Sequence, residues 1–222
     1  MKTAVTGLVF LASIAFALPG KNTVYYRSAE DVNDDNLPVA ELSFTGPVTV
    51  GGPNVTLHGT ADAIYQQILE LNPAYDPWAF PEYAEGLTSR GFTKNDLTQR
   101  SPNSPIEGSL VSRQSNYDCS YGNWINGYYS QCAVALNQLL LLGSSTCSAP
   151  KGACARVSCS SSCSMYLCNT HTDKVDVQCW DIAGDMGTIV LRCGSDNGNG
   201  DTRARGRKVF DNHYVALSQQ AC

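Results

Sequence analysis

The chain has 222 residues, ten of them cysteine, and 15 Lys/Arg against 20 Asp/Glu for a net charge of −5. That balance excludes the strongly basic surface of a nucleic-acid binder. Charge and cysteine are also unevenly placed. Residues 18–113 hold six Lys/Arg against twelve Asp/Glu, a net of −6, and residues 114–222 hold eight of each. All ten cysteines (Cys119, Cys132, Cys147, Cys154, Cys159, Cys163, Cys168, Cys179, Cys193 and Cys222) lie in the second part.

In chain order, Lys2, an uncharged apolar run from Ala4 to Ala17 and the small residues of Ala15-Phe16-Ala17 read as a signal peptide over residues 1–17. The run is shorter than the ~20 residues a membrane span needs, so the expected product is secreted and extracellular. Residues 18–113 read as a small α+β pro-segment and linker. Val39 to Val50 suggests two short strands around Gly46-Pro47, and Asn54-Val-Thr-Leu57 a third. Asn54 opens the only N-glycosylation sequon of the chain. Thr60 is placed to cap a helix with apolar residues at Ala61, Ile64, Tyr65, Ile68, Leu69 and Leu71, which Asn72-Pro73 ends.

From there to Ser112 the Pro-, Gly- and Ser-rich composition reads as linker. It contains Leu87-Thr-Ser-Arg90, Leu97-Thr-Gln-Arg100 and Leu110-Val-Ser-Arg113. Each resembles the Leu-x-x-Arg site of fungal secretory processing proteases, so cleavage is expected after Arg113 or Arg100. The secreted form then begins near Gln114 or Ser101. An uncleaved N-terminal domain is the alternative.

Residues 114–222 read as a disulfide-rich α+β domain, two helices packed on a mostly antiparallel sheet. Trp124, Tyr128, Cys132, Ala135, Leu136, Leu139 and Leu140 recur at helical spacing up to Gly143, and Ile182 to Cys193 marks a second amphipathic helix behind Asp181. Strands are expected at Ala155–Cys159, Ser164–Asn169, Val175–Val177, Arg203–Phe210 and Tyr214–Leu217. An even cysteine count in an exported chain implies disulfides, and the irregular spacings do not suit zinc, so neither metal nor cofactor is expected. Connectivity stays open, since ten cysteines allow on the order of a thousand complete pairings.

The ending Cys193-Gly-Ser-Asp196, a Gly/Asn-rich turn, a basic strand, Asn212-His-Tyr-Val215 and Cys222 resembles that of the fungal killer toxin four family. The resemblance covers roughly residues 117–222 in element order. It implies an exported α/β sandwich that inhibits competing cells, an activity attributed to interference with calcium channels. The family's implicated lysine, in an Ala-Lys-Val-Cys stretch, matches Arg156 in Ala155-Arg156-Val157-Ser158-Cys159, with arginine for lysine and one residue inserted. Where the family has a further cysteine, this chain has Val190, so at least one bridge must differ. Cysteine-rich fungal plant-effector families are similar too, one of them through an Arg-Val-Ser-Cys strand and a Cys-Asn like Cys168-Asn169.

Site candidates divide by chemistry. Arg203, Arg205 and Arg207 alternate, so a strand there sets three guanidiniums on one face and Lys208 on the other. That stripe, with Arg156, is the candidate contact for an anionic lipid, phosphate or acidic protein, and a charged edge strand is the alternative. Neutral replacement there is expected to change stability by at most about 0.5 kcal/mol. Trp124 and Tyr128 are assigned to the apolar helix face. For catalysis, residues 114–222 contain no glutamate, which removes Glu-pair glycosidases and Glu/His ribonucleases. His171 and His213 remain as a possible hydrolase or nuclease pair, without a nucleophile motif. The expectation is a monomeric, non-enzymatic toxin or host-interaction effector acting by surface contact on another cell.

Overall fold

The computed structural model describes residues 37–89, 94, 116–160, 162–196 and 202–220. The signal-peptide residues, the sites ending at Arg100 and Arg113, and Cys222 lie outside these.

Nine of the described strands form one mixed sheet. Strand β1 (Val39–Pro47) is followed by β2 (Asn54–Gly59), α1 (Ala61–Leu71), a 3-10 turn (Pro77–Ala79) and α2 (Pro81–Ser89). After the linker come β3 (Asn116–Asp118), α3 (Tyr128–Leu142), β4 (Thr146–Ala149), β5 (Cys154–Ser160), β6 (Cys163–Asn169) and β7 (Val175–Gln178). Helix α4 (Cys179–Cys193) precedes β8 (Ser195–Asp196), β9 (Thr202–Arg203), β10 (Gly206–Val209) and β11 (His213–Gln219). The order across the sheet is β3-β10-β11-β6-β5-β1-β4-β7, with β2 also on β1, and β8 pairs with β9 separately. All pairings are antiparallel except β1 with β5.

This is a disulfide-rich α+β fold with four α-helices among the described residues. Helices α1, α3 and α4 share one apolar core with the sheet, through Ile64, Ile68, Leu139, Ile182, Met186 and Ile189 against Leu42, Phe44, Val157, Met165, Leu167, Val215 and Leu217. Thr60 caps α1 as expected, its hydroxyl accepting from the Ala63 N–H at 3.3 Å. Four bridges join described cysteines: Cys119–Cys193, Cys132–Cys163, Cys147–Cys179 and Cys154–Cys168. Cys159 is disulfide-bonded as well. By loop-closure entropy the 74-residue Cys119–Cys193 loop contributes about 4 kcal/mol. Such a set of bridges is typical of extracellular proteins.

Several sequence expectations are revised. Val39–Pro47 is one uninterrupted strand, because Gly46 and Pro47 continue its pairing with Val55 and Asn54 of β2. Residues 77–89 are ordered into the 3-10 turn and α2 instead of linker, and Leu87 of the first Leu-x-x-Arg site is buried. Strands β3 and β4 had no signal strong enough to be read. Helix α3 begins at Tyr128 behind Gly127 in the left-handed region, so Trp124 lies outside it.

The placement of β1 makes the N-terminal segment part of the sheet. Its first residues pair with β5 (Val39↔Cys154 to Glu41↔Arg156) and its later ones with β4 (Ser43↔Ser148 to Thr45↔Thr146). Helix α2 docks on Trp180, with Gly86 so close that a Cβ would lie 2.1 Å from the indole. Cleavage within residues 90–115 is therefore expected to leave residues 37–89 bound to the cysteine-rich part. After nicking, the two pieces should co-elute on size-exclusion without denaturant and separate in it. Residues 114–222 produced alone should give scrambled disulfides and no cooperative melt, and a sharp melt of that piece would refute the expectation.

Candidate functional site

The expected single strand Arg203–Phe210 is interrupted: Thr202–Arg203 pairs with β8 in the small sheet, and β10 begins only at Gly206, at φ +132°. Burial still alternates, with Ala204, Gly206 and Lys208 buried and Arg203, Arg205 and Arg207 partly exposed, and Arg207 lies on the face of the large sheet away from the helices. On β5, Ala155 and Val157 join the helix-side core while Cys154 belongs to the opposite cluster, which sets Arg156 on the arginine face. Two cross-strand rows follow from the register. One runs Glu41–Arg156–Tyr166–Ala216–Arg207–Asp118 and the next Val39–Cys154–Cys168–Tyr214–Val209–Asn116. Arg156 and Arg207, far apart in sequence, thus share a row three strand spacings apart, about 14 Å.

Each arginine rests on an aromatic ring. The guanidiniums of Arg203 and Arg205 lie over the Trp124 indole at 4.5 and 4.6 Å. Arg207 lies over Tyr121 at 4.8 Å and Tyr214 at 5.1 Å, and Arg156 over Tyr166 at 5.8 Å. Arg203 Nε donates to Ser195 Oγ at 2.7 Å, and Arg205 Nη1 to the Gly122 carbonyl at 3.0 Å. Arg207 Nε donates to Asp118 Oδ2 at 3.2 Å. The Ser120 hydroxyl, its backbone N–H and the Arg207 guanidinium hold the Asp118 carboxyl below the usual carboxylate range. Arg203 and Arg205 have no carboxylate within ion-pair distance among the described residues.

Trp124 is therefore not a core residue of a helix. It sits half-buried in the segment before α3, where the antiparallel bridge Ile125↔Ala204 brings it alongside residues 203–205. Helical spacing alone suggested otherwise. The bridge could not be read because Ile125 and Ala204 lie 79 positions apart.

Lys208 shows what the opposite face of the same strand does. It is 2% exposed, and its ammonium donates to Asp185 Oδ1 of α4 at 2.8 Å. The Lys208 ammonium also lies 5.3 Å from the Phe210 ring. This buried pair links α4 to β10; the sequence placed Lys208 on the face opposite the arginines, and Asp185 did not stand out in it.

The two histidines come to one end of the sheet. His213 is the β11 partner of Asn169, and the Thr170 N–H donates to the Asn212 carbonyl at 3.2 Å. His213 is buried, with its ring stacked on Phe210 at 4.5 Å and Nδ1 2.7 Å from Asn212 Oδ1. His171 is exposed in the turn after β6, its backbone N–H donating to Asn169 Oδ1 at 2.8 Å. Among the described residues no cluster of three or more His, Cys, Asp or Glu could hold a metal ion, and no helix is long and apolar enough to cross a membrane. Comparison with protein-family models, with curated proteins and with solved structures returns no match.

The packing revises the stability expected of the arginine stripe. Arg207→Gln loses two ring contacts and a partly buried ion pair, about 1–2 kcal/mol in denaturant unfolding. Asp118, with its lowered folded pKa, adds stability above its unfolded value of about 3.9, which is lost as pH falls through the folded value. Asp118→Asn should remove that part of the acid limb and leave stability at pH 7 lower. Lys208→Met should cost about 3–5 kcal/mol by taking the ammonium away from the buried Asp185 carboxyl, and Lys208→Met/Asp185→Leu should recover most of it. A double variant no more stable than the single one would mean that the cost is steric.

Proposed function

We propose that the chain is an exported, non-enzymatic toxin or host-interaction effector that acts on another cell by pressing its arginine–aromatic face onto an anionic group. One observation carries this reading: Arg203 and Arg205 both lie over one half-buried indole, each held by a single hydrogen bond and neither paired with an acid among the described residues. A guanidinium presents five N–H donors in a planar fork suited to carboxylate, sulfate or phosphate. Fixing two such forks on a ring before binding lowers the ordering cost of contact. Arg207, already paired with Asp118, orders the surface and adds less charge to it.

The ending Cys193 to Cys222 that resembles killer toxin four, the similarity to cysteine-rich effectors and the set of disulfides support secretion and action outside the cell. Both arginines of the Trp124 pair lie within that ending. The matched Arg156 lies on the same face as Arg207, which makes one surface the natural place for both sequence candidates.

The test compares wild type with Arg203→Gln/Arg205→Gln and Arg203→Lys/Arg205→Lys on competing fungal cells and plant tissue. The Gln pair should stay folded, with a stability loss of about 1–2 kcal/mol, and lose binding and toxicity at least tenfold. The Lys pair should retain part of the activity, since charge survives but the fork does not. Wild-type binding should fall with added salt. A folded Gln pair with full activity would sink the proposal, and loss of activity in His171→Ala with binding intact would favour a hydrolase instead.

A further inference from the structure

On the opposite side of β1 from the arginine face's centre, a cleft of about 200 Å³ opens between the β1–β2 hairpin, residues 75–83 and the α3–β4 connection. Its wall includes the rings of Tyr75 and Phe80, and Asn54, Glu82, Ser144 and Ser145 supply polar groups. Tyr83 lines it as well. That residue is 2% exposed, its hydroxyl sealed from solvent with no hydrogen-bond partner among the described residues.

The size and lining select the ligand. The volume falls below the roughly 300–1,000 Å³ of drug-sized pockets and suits one six-membered ring. Aromatic rings beside hydroxyl, amide and carboxylate groups match a sugar, whose C–H face packs on a ring while its hydroxyls exchange hydrogen bonds. Asn54 adds a source. It lines the cleft, and it is the acceptor residue of the sequon Asn54-Val55-Thr56. Asn54 and Thr56 are both exposed on β2, which pairs only with β1 among the described strands.

We propose that this cleft seats a single N-acetylhexosamine ring, the first sugar of a glycan carried on Asn54. The ring covers Tyr75 and Phe80. Because the walls come from residues on both sides of the linker, the seated sugar also fastens the N-terminal segment to the α3–β4 connection. This inference does not depend on the arginine face.

The experiment uses full-length protein secreted by a glycosylating host, in three forms: with the complete glycan, trimmed by an endoglycosidase to one N-acetylglucosamine, and bare through Thr56→Ala, which keeps Asn54. Complete and trimmed forms should melt together, and the bare form lower by about 3 °C or more. Phe80→Ala should lower the midpoint of the trimmed form more than that of the bare form, since only the trimmed form has a sugar that loses its stacking face. Millimolar free N-acetylglucosamine should raise the midpoint of the bare form only. An unmodified Asn54 in the intact mass overturns the proposal; if free sugar still stabilises that protein, the cleft takes soluble carbohydrate instead. Equal midpoints of trimmed and bare forms, with the same Phe80→Ala shift in both, also overturn it.

Discussion

Strand β1 is hydrogen-bonded to two groups of strands that share no ladder of their own among the described residues. Its first three residues run parallel to β5, and its later ones lie antiparallel to β4 on one edge and β2 on the other. Without it, β3-β10-β11-β6-β5 and β4-β7 would each end in an open edge in the middle of the molecule. Unpaired N–H and C=O groups inside a sheet are costly and invite wrong pairing. The acidic, cysteine-free segment therefore supplies the one strand that makes the cysteine-rich part continuous. None of the four described bridges crosses from one segment to the other, so that union rests on backbone hydrogen bonds and apolar packing.

The aromatic residues of the N-terminal segment reinforce the same union. Tyr65, Tyr75 and Phe80 touch in sequence, Trp78 meets Tyr83 edge-on, and Tyr83 stacks on Trp180 at the start of α4. The Tyr75 hydroxyl donates to the Leu141 carbonyl, and burial pushes its pKa well up. Two glycines permit this approach. Gly86 leaves room for Trp180, and Gly143, at φ +71°, leaves room for Tyr83 while turning the chain out of α3. The cleft beside Asn54 is the gap left where these bulky rings meet the α3–β4 connection.

The sheet has two unlike faces, and β10 shows the division within four residues. Lys208 points under the helices to a single buried carboxylate, where low dielectric makes the pair a strict structural constraint. Arg207 points the other way, onto Tyr121 and Tyr214, where the charge stays near water and the ring supports its stem. Neighbouring cations thus have opposite roles because strand alternation sends them into different environments.

What the sequence determined by itself was local. Thr60 and the apolar spacing after it place α1; Ile182 to Cys193 places α4; alternation at residues 203–207 keeps three arginines out of the core; and the even cysteine count implies bridges. These follow from periodicity, capping and composition, which act over a few residues. Tertiary structure decided the rest. It chose which cysteines pair, set β1 between β5 and β4, aligned Arg156 with Arg207, and brought Trp124 to Arg203 and Arg205 across a bridge that spacing had hidden inside an extended helix pattern. It also supplied Asp185 as the buried partner of Lys208, which alternation places on the face opposite the arginines. Each of these depends on partners tens of residues away, and short-range patterns carry no signal for a partner that only the folded chain brings near.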